Sequence, residues 1–280
     1  MTNKIPITVI IVTKNAADHI AACLAPLSAF AQVLVVDSYS EDNTVEIAQQ
    51  KGATSVLYQW NGKYPKKRQW CLDELDIQHD WVFFVDADEV LTSDLIQEIR
   101  CMFHADASPD EAGFFVCGEY IWNGRRLRFG LKNNKIALFH RKRMKFPVVD
   151  DLDCTGMGEI EGHYQPICID PAYHGIGQLT HVLLHDACRD QMSWLRRHRR
   201  YAAWEICMNK KYAWPEDPVM YRQWLKRFLR SNPLRPEIAF VHSYILKCGF
   251  MDGKAGLVFA VSRWRYYQMI RAGQIDISVQ

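Results

Sequence analysis

The chain has 280 residues, of which 49% are hydrophobic, 12% aromatic and 24% charged, enough to bury a full core and incompatible with disorder, collagen or a coiled coil. Its formal net charge of +2 conceals an asymmetry: residues 189–235 hold 12 Lys and Arg against 4 Asp and Glu, a net +8 that leaves −6 for the remainder. No apolar run approaches the ~20 residues that cross a bilayer, no signal-peptide pattern opens the chain, and the nine cysteines form no CxxC pair, so the expectation is a cytoplasmic protein whose thiols are reduced core residues, without structural zinc.

Ile7–Val12 is an almost continuous β-branched run, which reads as a central strand buried on both faces of a parallel sheet. Ile20, Cys23, Leu24 and Leu27 have helical spacing within Ala17–Phe30, and a second apolar run, Val33–Val36, ends at Asp37. A polar loop, Ser38–Asn43, follows, then a helix over Thr44–Lys51 closed by Gly52, a strand over Ser55–Tyr58, a helix over Lys66–Leu75 and a strand over Trp81–Val85 ending in Asp86. Alternation of this kind predicts an α/β, doubly wound sheet with its ligand site beyond the C-terminal strand ends. There stand Thr13 and Asn15, Asp37 and Ser38, and Asp86 and Asp88. Further on, Phe114–Trp122 and Ile136–His140 read as strands, and 147–173, rich in Gly, Pro and Asp, as a long active-site loop. From Asp186 helical periodicity returns: Trp194, His198, Tyr201 and Glu205 share one face, and Pro215, Pro218, Pro233 and Pro236 punctuate shorter helices. One catalytic domain, 1–185, with a nucleotide-binding half at 1–100 and an acceptor half with the active-site loop at 101–185, is expected to precede a helical, basic and aromatic C-terminal region, 186–280.

In Asp86-Ala87-Asp88, alternation along an extended chain turns both carboxylates to one side. Like charges so close call for a cation, and a hard divalent ion with oxygen ligands is the usual solution; such an ion neutralises a departing diphosphate. The same acids could instead merely end a strand before a helix capped by Thr92 or Ser93. Ser38, Ser40, Asp42 and Thr44 after Asp37 suit a base or ribose, and equally suit turn and cap chemistry. Lys66-Lys67-Arg68, at a helix start, suits a phosphate or a solvated charge run.

Taken together, ITVIIVTKN at 7–15, VLVVDSYSEDNT at 33–44, KKRQWCL at 66–72 and FFVDADEVL at 83–91 resemble glycosyltransferase family 2, whose members are inverting, use nucleotide sugars and have the GT-A fold, a Rossmann-like nucleotide-binding mixed sheet flanked by helices. The resemblance assigns nucleobase contact to Asp37, ribose and metal contact to Asp86 and Asp88, and the turn after the first strand to Thr13 and Asn15; the chemistry of Ser38, Lys67 and Arg68 adds them to the expected donor site. Many members carry Glu after that Asn, where this chain has Ala16. The implied cofactor is Mn²⁺ or Mg²⁺, with His185 a possible further ligand or a hydrogen-bonded core histidine.

The second half, through GEIEGHYQP at 158–166, LLHD at 183–186, RRHRRYAAWE at 196–205, the run 235–260, Arg263 and Tyr266, resembles bacterial enzymes of lipopolysaccharide or exopolysaccharide synthesis. Inversion needs a base for the acceptor hydroxyl, and the resemblance gives that role to a carboxylate after the sheet: Glu161 first, with Glu159, Asp151 and Asp150 as rivals, or an acidic loop with no role. The implied partners are a nucleotide diphosphate sugar, UDP-sugar first, a lipid-linked or lipopolysaccharide acceptor, and an anionic membrane surface reached peripherally from the cytoplasmic face. The alternative is a non-catalytic module that binds membrane or nucleic acid through the basic aromatic segment. Paired strand-end acids would repel an anionic polymer, which sets nucleic acid aside.

Overall fold

Strand β1 (Ile5–Thr13) is buried along nearly its whole length, with Ile7, Val9, Ile10 and Ile11 fully out of solvent. A strand with apolar residues on both faces must be covered on both, the state of an interior strand of a parallel sheet, and β1 has a parallel neighbour along each edge. The structure, a computed structural model, describes residues 4–103, 108–162, 164–170, 175–188, 190–217 and 219–273. Of the stretches read above, positions 163, 171–173, 189 and 218 lie outside them.

In chain order, β1 leads to α1 (Ala17–Leu24), β2 (Phe30–Asp37), α2 (Thr44–Gln50), β3 (Thr54–Leu57), α3 (Lys67–Glu74), β4 (Trp81–Asp86), β5 (Glu89–Leu91) and α4 (Ser93–Met102). Then come β6 (Gly113–Trp122), β7 (Arg125–Arg126), β8 (Asn133–His140), β9 (Met144–Lys145), β10 (Ile167–Cys168) and β11 (Ile176–Cys188), followed by α5 (Gln191–Lys211), α6 (Met220–Ser231), α7 (Arg235–Val241) and α8 (Gly253–Ala272). The main sheet runs β3-β2-β1-β4-β8-β6-β11-β5. Its β3-β2-β1-β4 half is parallel, and β4–β8 and β11–β5 are antiparallel. This is the expected α/β, GT-A order: a Rossmann-like half continued by a mixed half.

Two differences from the sequence reading have local causes. The helix expected over Ala17–Phe30 ends at Leu24 and continues as a 3-10 turn over Ala25–Ala29, because Pro26 has no N–H to extend the α-helix, and Phe30 already belongs to β2. Strand β11, thirteen residues long, was not foreseen, since Gln178, Thr180, His181, His185 and Asp186 interrupt its apolar positions.

The chain divides into two compact units. The first comprises residues up to Gly118, Asn134–Phe146 and Gln165–His185. Its core joins Ile7, Val9 and Ile11 of β1 to Ile20, Cys23 and Leu24 of α1, Phe83 and Val85 of β4, Leu95 and Ile99 of α4, and Leu179 and Leu183 of β11.

The second unit comprises Glu119–Asn133, Pro147–Tyr164 and residues from Asp186 onward. It has its own cluster of Trp122, Leu127, Trp194, Ala202, Phe259 and Tyr266. The expected stripe on α5 is an inner face: Trp194 stacks on His198 with ring centroids 3.7 Å apart, and buried Glu205 accepts the Tyr266 hydroxyl at 2.9 Å and pairs with Arg235. The expectation that every thiol is reduced is overturned at one pair, because Cys154 and Cys207 form a disulfide. They stand 53 residues apart in sequence with Cα atoms 5.7 Å apart, a proximity that spacing along the chain does not reveal. Among the described residues no helix is long and apolar enough to cross a membrane.

Candidate active site

The register of the parallel strands collects the expected polar residues at one end of the first unit, Thr13 opposite Asp37 and Val12 opposite Asp86. The chain leaves β1 through Asn15, whose φ of 52° is the left-handed conformation that Asn tolerates better than most residues. The loop after β2 holds that turn. Ser40 accepts the Asn15 N–H at 2.7 Å, Asn15 Oδ1 accepts the Glu41 N–H at 2.9 Å, and Thr44 Oγ1 and Asp42 Oδ2 accept the N–H groups of Ala16 and Ala17 at 2.8 and 3.0 Å. Ser40, Asp42 and Thr44 thus supply partners for the free amides at the start of α1. Of the two roles their chemistry suits, turn and cap bonding is the one the structure displays.

Asp37 is fully buried, and its carboxylate accepts the Ser40 N–H at 2.7 Å and the Ser40 hydroxyl at 2.5 Å. Lys67 is also fully buried; its ammonium donates to the Thr13 carbonyl at 2.9 Å and to Ser38 Oγ at 2.5 Å, tying the ends of β1 and β2 together. The basic run at 66–68 is therefore not a solvated charge patch. The buried Thr13 hydroxyl has no hydrogen-bond partner among the described residues, and an orphaned donor here is one that a ligand can satisfy.

The two aspartates of the acidic motif have different surroundings. Asp86 Oδ1 meets Arg68 at 2.9 Å and Oδ2 meets Lys135 at 2.6 Å, while its N–H donates to Glu89 Oε2 at 2.9 Å. Lys135 also pairs with fully buried Glu89 at 2.7 Å. Burial alone would raise the Asp86 carboxyl, but Lys135 and Arg68 hold it well below the usual carboxylate range. Glu89 is pushed up by burial, and Lys135 stays protonated because the two acids outweigh the cost of burying it. Asp88 instead faces His185 of β11, with Oδ2 and Nε2 3.4 Å apart, and raises the imidazole above its ordinary value against the effect of burial.

Among the described residues no three carboxylate, imidazole or thiol groups are arranged to hold a metal. Asp88 and His185 nevertheless offer one oxygen and one nitrogen side by side, a donor pair that suits a divalent ion taking its remaining ligands from a diphosphate and water. Asp86 already has both oxygens on cations. Lys135 and Glu89 escaped the sequence reading. Lys135 is a single lysine at the head of an apolar strand, and Glu89 stands in the sequence as one more acid after the strand; only sheet order puts β8 beside β4. Lys135→Met leaves two acids without their shared cation and is expected to cost about 3 kcal/mol of folding stability, measured by urea denaturation.

The four base candidates lie in the second unit. Glu161 is buried at 1% exposure, Glu159 is half-buried, and Asp151, also buried, accepts the Trp204 indole N–H at 3.0 Å. A Cβ on Gly162 would stand 2.3 Å from the Trp204 ring, so the backbone beside Glu161 is packed directly on that side chain. Asp150 is exposed and pairs with Lys211 at 2.7 Å.

Residues 8–158 match the family described as glycosyl transferase family 2. Among curated relatives, an uncharacterized glycosyltransferase of Rickettsia felis is 38% identical over 98 residues, 35% of this chain and 34% of that protein. Another, of Rickettsia typhi, is 36% identical over 143 residues, 50% of this chain and 48% of that protein. The chain thus spans between a third and a half of the length of these relatives. Among solved structures, a mannosyltransferase from Pyrobaculum calidifontis in complex with GDP-Man and Mn²⁺ has a TM-score of 0.49 at 16% identity, covering 97% of this chain and 85% of that one. Glucosyl-3-phosphoglycerate synthase from Mycobacterium tuberculosis has a TM-score of 0.32 at 19% identity, covering 41% of this chain and 44% of that one.

Proposed function

The chain belongs to glycosyl transferase family 2, and on that premise we propose that it moves a hexose, with inversion, from a nucleotide diphosphate sugar to a lipid-linked or lipopolysaccharide-type acceptor. The observation that carries this reading is the strand-end cluster itself: Asp86 held ionised between Arg68 and Lys135, with Asp88 beside His185, next to the β1 and β2 ends that carry Thr13 and Asp37. A cluster with this much charge, assembled from β4, α3, β8 and β11 at the carboxyl end of parallel strands, suits an anionic ligand that brings its own counter-charges.

In this reading Thr13, Asn15, Asp37 and Ser38 hold the nucleoside, a uridine first among the choices, and Lys67 fixes the two strand ends that position them. Arg68 and Lys135 steady the diphosphate as negative charge grows on it, and Asp86 keeps both cations aimed. Asp88 and His185 would hold Mn²⁺ or Mg²⁺, which when bound supplies further neutralisation of the leaving diphosphate. Glu161 takes the proton from the acceptor hydroxyl. That oxygen forms a bond to the anomeric carbon from the face opposite the nucleotide, the bond from that carbon to the phosphate oxygen breaks, and the nucleotide diphosphate leaves. Glu159 is the rival base, since it is the more accessible; Asp151 is engaged by Trp204.

The acceptor class is proposed from the basic aromatic segment, whose exposed Arg196, Arg200 and Lys210 can meet anionic headgroups. Arg197 donates to the Ala187 carbonyl and is not free for that purpose. The test of the donor reading is a thermal-shift panel of UDP-, GDP- and dTDP-hexoses with Mn²⁺. A rise in melting temperature is expected for one nucleotide class and its free diphosphate; no shift with any of them contradicts it.

A further inference from the structure

Helix α6 contains four bases, Arg222, Lys226, Arg227 and Arg230, and no acid, and its polarity is inverted relative to an ordinary surface helix. At 3.6 residues per turn, Met220, Tyr221, Trp224, Leu225 and Phe228 fall within an arc of about 140°, with Arg222, Lys226 and Arg230 on the opposite side. The apolar arc is the one in solvent: Met220 is 88% exposed, Tyr221 72%, Trp224 70% and Phe228 51%. The basic side is the one covered. Lys226 and Arg222 pair with nearly buried Asp217, and the Arg230 guanidinium sits 3.6 Å from the centroid of the Trp214 ring, where burial brings its pKa down to about 10.

Three half-buried bases are thus used to hold the helix while its aromatics stand outside, Trp224 and Phe228 stacked with centroids 6.0 Å apart. Lone exposed apolar residues need no explanation, but five on one face of one helix do. We propose that α6 docks this protein on an anionic lipid bilayer, with Tyr221, Trp224, Leu225 and Phe228 seated among the headgroups and upper acyl chains. Charge selects the occupant. Exposed Arg227 flanks the arc, and Arg196, Arg200 and Lys210 of α5 are also exposed, positive charges that suit a surface of negative headgroups. Tyr and Trp are the side chains that favour the bilayer interface. The purpose of the docking rests on the lipid-acceptor reading above; the geometry of the helix does not.

The test is co-sedimentation of the full chain with phosphatidylglycerol-containing vesicles and with pure phosphatidylcholine vesicles, for wild type, Trp224→Glu/Phe228→Glu and Trp224→Ser/Phe228→Ser. Wild type is expected in the anionic pellet only, with both double variants weakened at least about tenfold. Their circular dichroism should match wild type, and nucleotide release from a donor sugar, measured without vesicles, should be unchanged. Equal binding to both vesicle types, binding that survives the serine variant, or a stable dimer that the serine variant splits while vesicles go unbound would each overturn the proposal. If the vesicle result holds but no donor is consumed, the docking helix stands and the transferase reading falls; the reverse result removes only the helix.

Discussion

Asp88→Ala is expected to abolish hexose transfer and the Mn²⁺-dependent part of nucleotide diphosphate affinity, while leaving the fold intact. Asp88 lies in the turn between β4 and β5 with its carboxylate beside His185, and because that carboxylate raises the imidazole against burial, its loss lets His185 shed its proton instead of leaving a fixed charge in the core. Asp86→Ala would confound the two effects, because Arg68 and Lys135 both depend on that carboxylate. Calorimetry of UDP and GDP binding, with and without Mn²⁺, separates them for Asp88. Equal affinities for wild type and variant in the presence of Mn²⁺ would end the metal role of this residue.

Glu161→Gln should leave donor binding untouched and lower transfer by about 10²–10⁴-fold, the range for losing a general base. The substitution keeps the shape of a fully buried side chain next to Gly162, whose close packing on Trp204 allows little rearrangement. Glu159→Gln serves as its comparison. Rate loss in that variant instead, with Glu161→Gln near normal, reassigns the base. Asp151→Asn is expected to act on stability, through the hydrogen bond from the Trp204 indole, by roughly 1 kcal/mol.

The parallel half of the sheet was legible because its signals are local. A β-branched run such as Ile7–Val12 can only be a strand covered on both sides, and polar residues directly after such runs must gather where parallel strands end. Lys135 was invisible for the opposite reason: its partners Asp86 and Glu89 are 49 and 46 residues away, and no periodicity encodes which antiparallel strand lies beside β4. The Cys154–Cys207 disulfide was missed for the same kind of reason. Lys67 shows a further limit. A basic residue at a helix start reads as a phosphate ligand, yet its ammonium is consumed by the Thr13 carbonyl and Ser38, an outcome set by the depth at which α3 packs. The inverted polarity of α6 was half readable: composition showed bases mixed with aromatics, but only packing shows that the bases are inside.

The most direct measurement of the central claim is donor turnover followed by ³¹P NMR. Wild-type chain is incubated with Mn²⁺ and each nucleotide diphosphate hexose in turn, with vesicles carrying extracted lipid acceptors added in a second series. The account predicts that for one nucleotide class the sugar-diphosphate resonances give way to those of free nucleotide diphosphate, slowly alone and faster with acceptor, and that Asp88→Ala shows neither. Every donor remaining intact in both series, from protein that is folded, would contradict it.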